Sequence, residues 1–511
     1  MVKLSRDTQK YHNPERSCAY MIPQKQLSLS DIFKECEDLL EDDKPAFLSL
    51  LETHIDLDEI VPTSFRSHYY SWIGRPRTYP LDAMLWALII QKIFSIPTDQ
   101  LLLVFLQYSK ALRDFCGFNK VPDASRITRF KQEFLSDLQI MFDRLVDLTE
   151  PICQAIDQEK ASMTIFDSSG IEAFVQENNP KFANQIIRQL KAYAKAMGFD
   201  KSYDPYKAAY GRMPSHASAN PAIKQLYING HFCYVFKFGM VTNGLGIVRE
   251  ISFYNKDFLD AHPEIVVDKK SDSPDEDKSV HDARLLIPTL QDFFAKHPLI
   301  NPKTFIGDSA FDSAVIYKAL LGEDTFGSEK RFSKAYIPLN SRSSLQNADS
   351  VCPINEDGIP CCPHDPSLPM KPEGTTVTKA GVKRFKFVCP KMTWDKDVDG
   401  KYRRHCHCGT PCTSSSCGRM VYVYPEQNLR AYPGVLRGTE EWDETYKIRT
   451  IVERTINHFK DNLGVAGRKT RDERTLHADL LLAGICQQIT VLLADKIHRH
   501  EYIRSLKRLI A

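Results

Sequence analysis

The sequence lacks an excess of charge of either sign. Lys and Arg together number 67 and Asp and Glu 65, so the formal net charge is +2. A chain with this balance has no global attraction for polyanions, and any nucleic-acid surface must therefore be a local patch. Hydrophobic residues make up 42% and charged residues 26% of the 511 residues, which excludes a wholly disordered chain, a collagen-like repeat and a coiled-coil rod.

Long apolar runs that are free of charge are also missing. The two most apolar stretches, residues 81–96 and 478–497, contain Asp82 and Asp479. A membrane span needs about 20 mostly apolar residues, so we expect both stretches to form buried helices and expect no membrane partner. Residues 1–30 hold no apolar core of the length of a secretory signal. We therefore expect a cytoplasmic protein.

The length allows about three or four domains, and changes in texture along the chain predict where they lie. Residues 79–145 have a helical pattern, whereas short β-forming runs alternate with helical segments from 162 to 339, which predicts an α/β fold. The predicted units are an N-terminal segment (1–70), a helical domain (71–150), the first part of a core (151–340), a Cys-rich basic insertion (341–433) and the completion of the core with C-terminal helices (434–511).

Three distant acids are candidates for a common site. Asp167 and Asp308 each end a short apolar run that we predict to be a strand, and Glu453 lies in a predicted helix. Acids at the ends of adjacent strands converge at one edge of a sheet, and a helix packed there can supply the third. Such an oxygen-lined pocket suits Mg²⁺ or Mn²⁺, and a pair of these ions can catalyse phosphodiester chemistry.

The helix around Glu453 carries further polar residues at helical spacing. Tyr446, Arg449, Glu453 and Lys460 are predicted to share one face. Cations beside a metal-binding acid make sense if the substrate is a phosphate backbone. The alternative is ordinary: an Asp after a strand is commonly a turn former or a helix cap, and a charged helix face is commonly just solvated.

These motifs resemble those of bacterial insertion-sequence transposases with an Asp-Asp-Glu triad. The pattern Tyr-x2-Arg-x3-Glu-x6-Lys matches that family's signature in all four positions. Segment 307–312 (GDSAFD) is similar to its second-Asp motif, with Phe where Tyr is common, and segment 165–169 (IFDSS) to its first. Residues 74–130, which include Arg126 and Arg129, are similar to the helical domain that precedes the catalytic core in many such enzymes.

The resemblance implies a ribonuclease-H-like catalytic core in which Asp167, Asp308 and Glu453 bind the metal ions. Tyr446, Arg449 and Lys460 would contact DNA phosphates near the scissile end. The reaction would be hydrolysis of the element's terminal phosphodiester, followed by attack of the freed 3′-hydroxyl on target DNA. The implied partners are double-stranded DNA and a second copy of the chain, a homodimer on DNA in the bacterial nucleoid, with no small-molecule substrate.

Several alternatives remain beside this interpretation. Asp312 is a near alternative to Asp308, and Asp282 either adds an acid near the site or complements the dipole of a helix that it opens. A metal-dependent nuclease without strand transfer would use the same triad. A DNA-binding protein that has lost catalysis is the other rival, although retention of the three acids with Tyr446, Arg449 and Lys460 argues against it.

The insertion holds eight of the fourteen cysteines, together with His364, His405 and His407. Clustered thiolates in a cytosolic chain favour Zn²⁺ over disulfides, and a loop-rich segment with few apolar residues needs such a staple to fold. We expect one or two structural zinc ions; free thiols or a partly disordered loop are the alternative. The candidate ligands are Cys352, Cys361, Cys362, Cys389, Cys406, Cys408, Cys412 and Cys417.

Two local patches are basic. Residues 371–404 contain ten basic and four acidic residues interleaved with aromatics, which is typical either of a DNA contact or of a solvated β-hairpin. The second patch includes Arg468 and Lys469, beyond the helix signature, and follows the DNA backbone or is simply exposed to solvent.

Overall fold

The computed structural model describes residues 45–72, 75–200, 202–228, 231–271, 273–322, 325–327, 332–340, 351–355, 357–379, 381–424, 428–467 and 469–510. Residues 1–44 of the predicted N-terminal segment lie outside this part of the chain, as does Arg468. In chain order the α-helices are α1 (Ala46–His54), α2 (Leu57–Ile60), α3 (Thr63–Tyr69), α4 (Leu81–Ile93), α5 (Asp99–Tyr108), α6 (Lys110–Cys116), α7 (Ala124–Glu133), α8 (Leu135–Ile156), α9 (Gln158–Ala161), α10 (Pro180–Ala196), α11 (Pro205–Arg212), α12 (Lys256–Ala261), α13 (Asp282–Lys296), α14 (Ala314–Leu321), α15 (Glu440–Lys447), α16 (Thr450–Asn457), α17 (Glu473–Lys496) and α18 (Lys507–Ile510).

A mixed sheet forms the centre of the α/β fold. The strands are β1 (Met163–Glu172), β2 (His216–Ala217), β3 (Asn220–Ile228), β4 (His231–Thr242), β5 (Val248–Phe253), β6 (Lys269–Lys270), β7 (Ser273–Asp277), β8 (Thr304–Ile306), β9 (Lys334–Tyr336), β10 (Lys371–Val377), β11 (Lys383–Val388), β12 (Met392–Lys396), β13 (Tyr402–Cys406) and β14 (Met420–Val423). The main sheet has the order β2-β3-β4-β1-β8-β9, and β5 also pairs with β4. β1 pairs antiparallel with β4 and parallel with β8, and β8 pairs parallel with β9.

The β-forming runs 232–242 and 247–253, joined by Asn243-Gly244, predict a hairpin with a tight turn. The hairpin between β4 and β5 is present, but its turn is longer than the Asn243-Gly244 pair. Residues 243–247 form a longer turn, in which the Asn243 amide donates to the Ile247 carbonyl and the Gly246 amide to the Asn243 carbonyl. The left-handed residue is Gly246, with φ of +81°, a conformation that favours glycine. The acidic, polar composition of segment 271–279 predicts a loop, but the segment contributes β7, which pairs with β6.

The helix α17 is the central buried helix of the C-terminal region. It is long and apolar enough to cross a membrane, but 89% of its apolar window is buried inside the protein, as expected for a core helix. It packs against α4, α8 and β5. At Gly484 a Cβ atom would lie 2.7 Å from the Phe142 ring and 3.0 Å from Ile251 Cδ1, so this glycine permits the close approach of α17 to α8 and β5.

A buried charge network joins α17 to the N-terminal helices. Lys92 on α4 and Lys131 on α7 each place their Nζ 3.0 Å from Asp479 Oδ1. Both lysine side chains are fully buried and that of Asp479 is 1% exposed. Lys131 also contacts Asp99 at 2.9 Å. Because buried charges are costly unless they are paired, this network fixes the position of α17 relative to α4 and α7.

The Cys-rich segment forms small sheets beside the main one. β10, β11 and β14 make a three-stranded sheet, and β12 and β13 make a hairpin. A small core of Phe385, Phe387, Met370 and Tyr432 lies beneath the first sheet. The segment enters the chain between β9 and α15.

Candidate active site

The register of the sheet places two of the predicted acids at the same level. Ile165 of β1 pairs with Ile306 of β8 in parallel, and Asp167 and Asp308 each follow two residues later. Asp308 lies just beyond the end of β8, as predicted. Asp167 lies within β1 rather than at its end, because β1 continues to Glu172 through its pairing with β4.

The helical segment that carries the third acid is not one regular helix. Tyr446 lies in α15, Arg449 lies at the junction before α16, Glu453 lies in α16, and Lys460 lies in a π-helical turn over His458–Asn462. At the junction, amides donate to carbonyls three residues back, as Arg449 does to Tyr446, which tightens the turn. The segment is therefore two helices and a π-turn rather than one regular helix. The Arg449–Glu453 pair, four residues apart, still keeps these two side chains on one side, and α16 packs on β1 and β4 beside the acids.

The guanidinium of Arg449 brings all three acids together. Its Nη1 donates to Glu453 Oε1 at 2.8 Å and its Nη2 to Asp308 Oδ2 at 3.3 Å, and Nη2 lies 4.0 Å from Asp167 Oδ2. The Arg449 side chain is only 17% exposed. The three carboxylates around this guanidinium offer only oxygen atoms as donors, the kind of ligand that Mg²⁺ and Mn²⁺ prefer. Asp167, Asp308 and Glu453 are the residues that would hold such an ion.

Burial and neighbouring acids concentrate negative charge here. Burial raises the pKa of Asp167 to about 6, Arg449 and the Ser168 amide oppose that rise, and Glu453 and Asp282 add to it. Burial alone would lower the pKa of Arg449, but Asp308 and its neighbours raise it overall. The carboxylates therefore hold the guanidinium in its charged form, and a cation at this position is stabilised.

A fourth acid and a lysine extend the site. Asp282 opens α13 and accepts a hydrogen bond from Ser168 Oγ at 2.6 Å, and Lys237 Nζ lies 2.5 Å from its carboxylate. Both roles considered for Asp282, a first-turn acid and an acid near the site, are thus compatible. Lys237 is not among the residues predicted from the sequence. It is the only Lys, Arg, Asp or Glu in β4, and a single charged residue in an otherwise apolar strand is the sequence feature that indicates it.

Lys460 and Tyr446 lie beside the acids. Lys460 Nζ donates to Ser169 Oγ at 2.7 Å, and burial lowers the pKa of Lys460 while Asp461 and Asp167 oppose that change. The Tyr446 ring stacks on Trp442 with centroids 6.5 Å apart. Burial raises the pKa of Tyr446, and its charged neighbours include Arg449, Asp308 and Glu453.

The remaining predicted residues lie in different surroundings. Asp312 is fully buried and bound by Arg430, whose Nε donates at 2.9 Å and Nη2 at 2.7 Å. That bidentate pair occupies the Asp312 carboxylate, and Asp308 is the acid that contacts Arg449. Arg126 and Arg129 are exposed on α7, and Lys469 is exposed beyond α16.

The cysteines are partly gathered. Cys389 Sγ and Cys406 Sγ lie 3.6 Å apart, and Arg419 Nε donates to Cys412 Sγ at 3.4 Å. Cys352 and Cys361 are buried, as is Cys389, and Cys352 lies near enough to Cys412 and Cys362 to interact with them electrostatically. Cys352, Cys361 and Cys417 do not line the cleft to which the other five cysteines contribute. That cleft is lined by Cys362, His364, Cys389, Cys406, Cys408 and Cys412. Several thiols and one imidazole facing one cleft are a chemically suitable donor set for Zn²⁺, and the zinc ligands remain a prediction.

The basic segment 371–404 is partly neutralised by its own acids. Glu373 forms ion pairs with Lys386 and with Arg404, the latter at 2.8 Å, and Arg403 pairs with Asp397 at 3.0 Å. The Arg404 guanidinium lies 4.7 Å from the centre of the Trp394 ring. The segment still exposes further basic side chains, namely Lys371, Lys379, Lys383, Lys391, Lys396 and Lys401.

A mixed α/β fold with this cluster of acids and cations is compatible with an enzyme that processes DNA, and comparison with known families supports that class. Residues 34–133 match the family described as Transposase domain (DUF772). The match supports a protein of a transposase family and, with it, DNA binding; it covers the helices α1–α7 and starts before the predicted domain 71–150. No curated protein matches the chain.

Proposed function

We propose that the protein is a DNA transposase of a bacterial insertion sequence. It would cleave the ends of the element and join the freed 3′-hydroxyls to target DNA. The observation that carries the proposal is the convergence of Asp167, Asp308 and Glu453 on the guanidinium of Arg449. The sheet supports a ribonuclease-H-like core, because the acid-bearing strand β1 lies centrally, between an antiparallel and a parallel neighbour.

The three acids would hold divalent ions, which supply activation of the attacking oxygen and stabilisation of the leaving oxygen. Arg449 has a second task. Through its contacts with the three carboxylates it offsets part of their negative charge, and beside a bound ion its guanidinium would bind the DNA phosphate, a ligand that suits its planar fork. Lys460 contacts Ser169, a residue of β1, the strand that also carries Asp167. From there it would contact the DNA backbone close to the scissile end.

The Cys-rich insertion and the helical domain would bind DNA away from the chemistry. Structural Zn²⁺ held by thiolates of the cleft would fix the insertion, whose exposed lysines would follow a phosphate backbone. Arg126 and Arg129 would bind DNA from α7. Two element ends require two active sites, so we propose a homodimer on DNA.

The test is cleavage and joining of labelled DNA taken from the flanks of the gene. Wild type with Mg²⁺ should nick the end DNA and give a joined product, and Glu453→Gln should do neither while still binding DNA. Glu444→Gln is the matched control, because Glu444 is an exposed acid of α15 that pairs with Lys447. Cleavage without joining would favour a nuclease, and DNA binding without cleavage by wild type would favour a protein that has lost catalysis.

A further inference from the structure

A second group of possible metal ligands lies away from the triad, where α8, β5 and the end of α13 meet. Asp143 comes from α8, Glu250 from β5, and His297 follows the last residue of α13. Each offers one ligand atom, and these atoms all lie within 4.8 Å of one another. His297 and Glu250 are completely buried, so their polar atoms have little access to bulk water.

His297 is oriented in the way that metal-binding histidines are oriented. Its Nδ1 lies 2.7 Å from Asp147 Oδ1; because a carboxylate only accepts, Nδ1 carries the proton. A second carboxylate that fixes the tautomer is the usual support of a metal-bound imidazole. The other nitrogen, Nε2, is buried and has no hydrogen-bond partner among the described residues.

That free nitrogen faces the two acids. Nε2 lies 3.9 Å from Asp143 Oδ1, which is too far for a hydrogen bond. Glu250 Oε2 is likewise buried and without a hydrogen-bond partner in the described part of the chain. Two orphan polar atoms at one buried point are costly, and a cation between them would satisfy both.

The local charge also favours a divalent ion. Asp143, Asp147 and Glu250 carry three negative charges, and Lys296 supplies one positive charge through its contact with Glu250 Oε1 at 2.9 Å. Lys296 contacts Oε1 and not Oε2 of Glu250. The one positive charge of Lys296 is outnumbered by the three carboxylates.

We propose that Asp143, Glu250 and His297 bind one divalent transition-metal ion, Mn²⁺ or Zn²⁺, which holds the helical region to the core. One imidazole and two carboxylates suit these ions, and the metal distances of about 2.0–2.2 Å need the three side chains to close by roughly an ångström. The ion would be structural, since all three ligands come from packed elements and lie apart from the acids around Arg449.

Mn²⁺ binding to the full-length protein tests this proposal, since Mn²⁺ has little preference for thiolates. The protein is stripped with a chelator and carries Asp308→Asn and Glu453→Gln, so that the triad no longer competes. Free Mn²⁺ is then followed by electron paramagnetic resonance. We expect one bound Mn²⁺ per chain, lost with an added His297→Gln or Asp143→Asn; the latter change is at a partly exposed position that is more tolerant of substitution.

His262→Gln is the matched control. Its two ring nitrogens each lie 3.1 Å from a carboxylate, of Glu264 and of Asp292, and it is not one of the three proposed ligands. This variant should keep the bound Mn²⁺. Absence of bound Mn²⁺ in the triad-deficient protein, with a Zn²⁺-induced rise in melting temperature that is the same with and without His297→Gln, would overturn the proposal. Retention of Mn²⁺ by folded Asp143→Asn and His297→Gln would overturn it as well. The number of Mn²⁺ ions bound at this site does not depend on the proposed function. It should be the same even if the wild type shows no strand transfer.

Discussion

Replacing Arg449 by Gln should make the protein bind Mg²⁺ more tightly and DNA more weakly. In the wild type an incoming ion must displace Nη2 from Asp308 and from the vicinity of Asp167. In Arg449→Gln the acids are already free to bind the ion. The guanidinium that would hold the DNA phosphate is missing at the same time.

The structure sets the size of the effect. Removing one partner of a buried ion pair costs about 3–5 kcal/mol, but the Asp308 and Glu453 side chains are 46% and 45% exposed, so water screens them. We therefore expect Arg449→Gln to lose about 2 kcal/mol of unfolding free energy in the presence of a chelator. Mg²⁺ should restore most of that loss, with a dissociation constant about tenfold lower than in the wild type.

Calorimetric titration with MgCl₂ and chemical denaturation with and without Mg²⁺ measure both quantities. Fluorescence anisotropy with end DNA measures the weaker DNA binding. Arg454→Gln is the control, because Arg454 is exposed on the same helix and lines a different pocket with Arg504. Equal or weaker Mg²⁺ binding by Arg449→Gln would refute the idea that guanidinium and metal compete for the same carboxylates.

Further predictions concern other parts of the chain. Lys460→Ala should weaken DNA binding for all sequences and reduce the slope of log affinity against log salt by about 1, as anisotropy at several salt concentrations would show. Asp479→Asn should cost about 3–5 kcal/mol of unfolding free energy, because two buried lysines lose their shared partner; an unchanged urea midpoint would contradict this. Burial lowers the pKa of His477 to about 3, below its unfolded value, so stability is lost as pH falls below about 6.5; His477→Phe should remove about 2 kcal/mol of the loss between pH 7 and pH 5 in denaturation curves. Elemental analysis should find at least one zinc per chain, and a folded protein without zinc would refute the structural zinc site in the Cys-rich insertion.

The sequence predicts which secondary-structure elements hold the acids better than it predicts the exact extent and regularity of those elements. Asp308 follows a strand as expected, because an apolar run ending in Gly-Asp has a clear boundary. The extension of β1 past Asp167 depends on pairing with β4, which lies far along the chain. The regular spacing from Tyr446 to Lys460 gave no sign of the tight junction at Arg449 or of the π-turn.

Other features could not be predicted from local pattern at all. Asp143, Glu250 and His297 belong to three elements distant in sequence, and each alone is an ordinary residue of its element. Lys92 and Lys131 lie in stretches whose pattern indicates no partner, and in the sequence Asp479 is only a charge within an apolar stretch. Such contacts follow from how α17 packs against α4 and α7, which is a property of the assembled fold.

The lysine–aspartate network between α4, α7 and α17 has a mechanical consequence. Separating these helices would leave the buried charges of Lys92, Lys131 and Asp479 without their partners, which is costly. The helical region and the C-terminal helix therefore behave as one stiff frame. The arginines of α7 belong to that frame, whereas α16 packs on β1 and β4 of the sheet. DNA bound by α7 would lie at a fixed distance from the acids. That distance would set the position of cleavage relative to the DNA segment bound by α7.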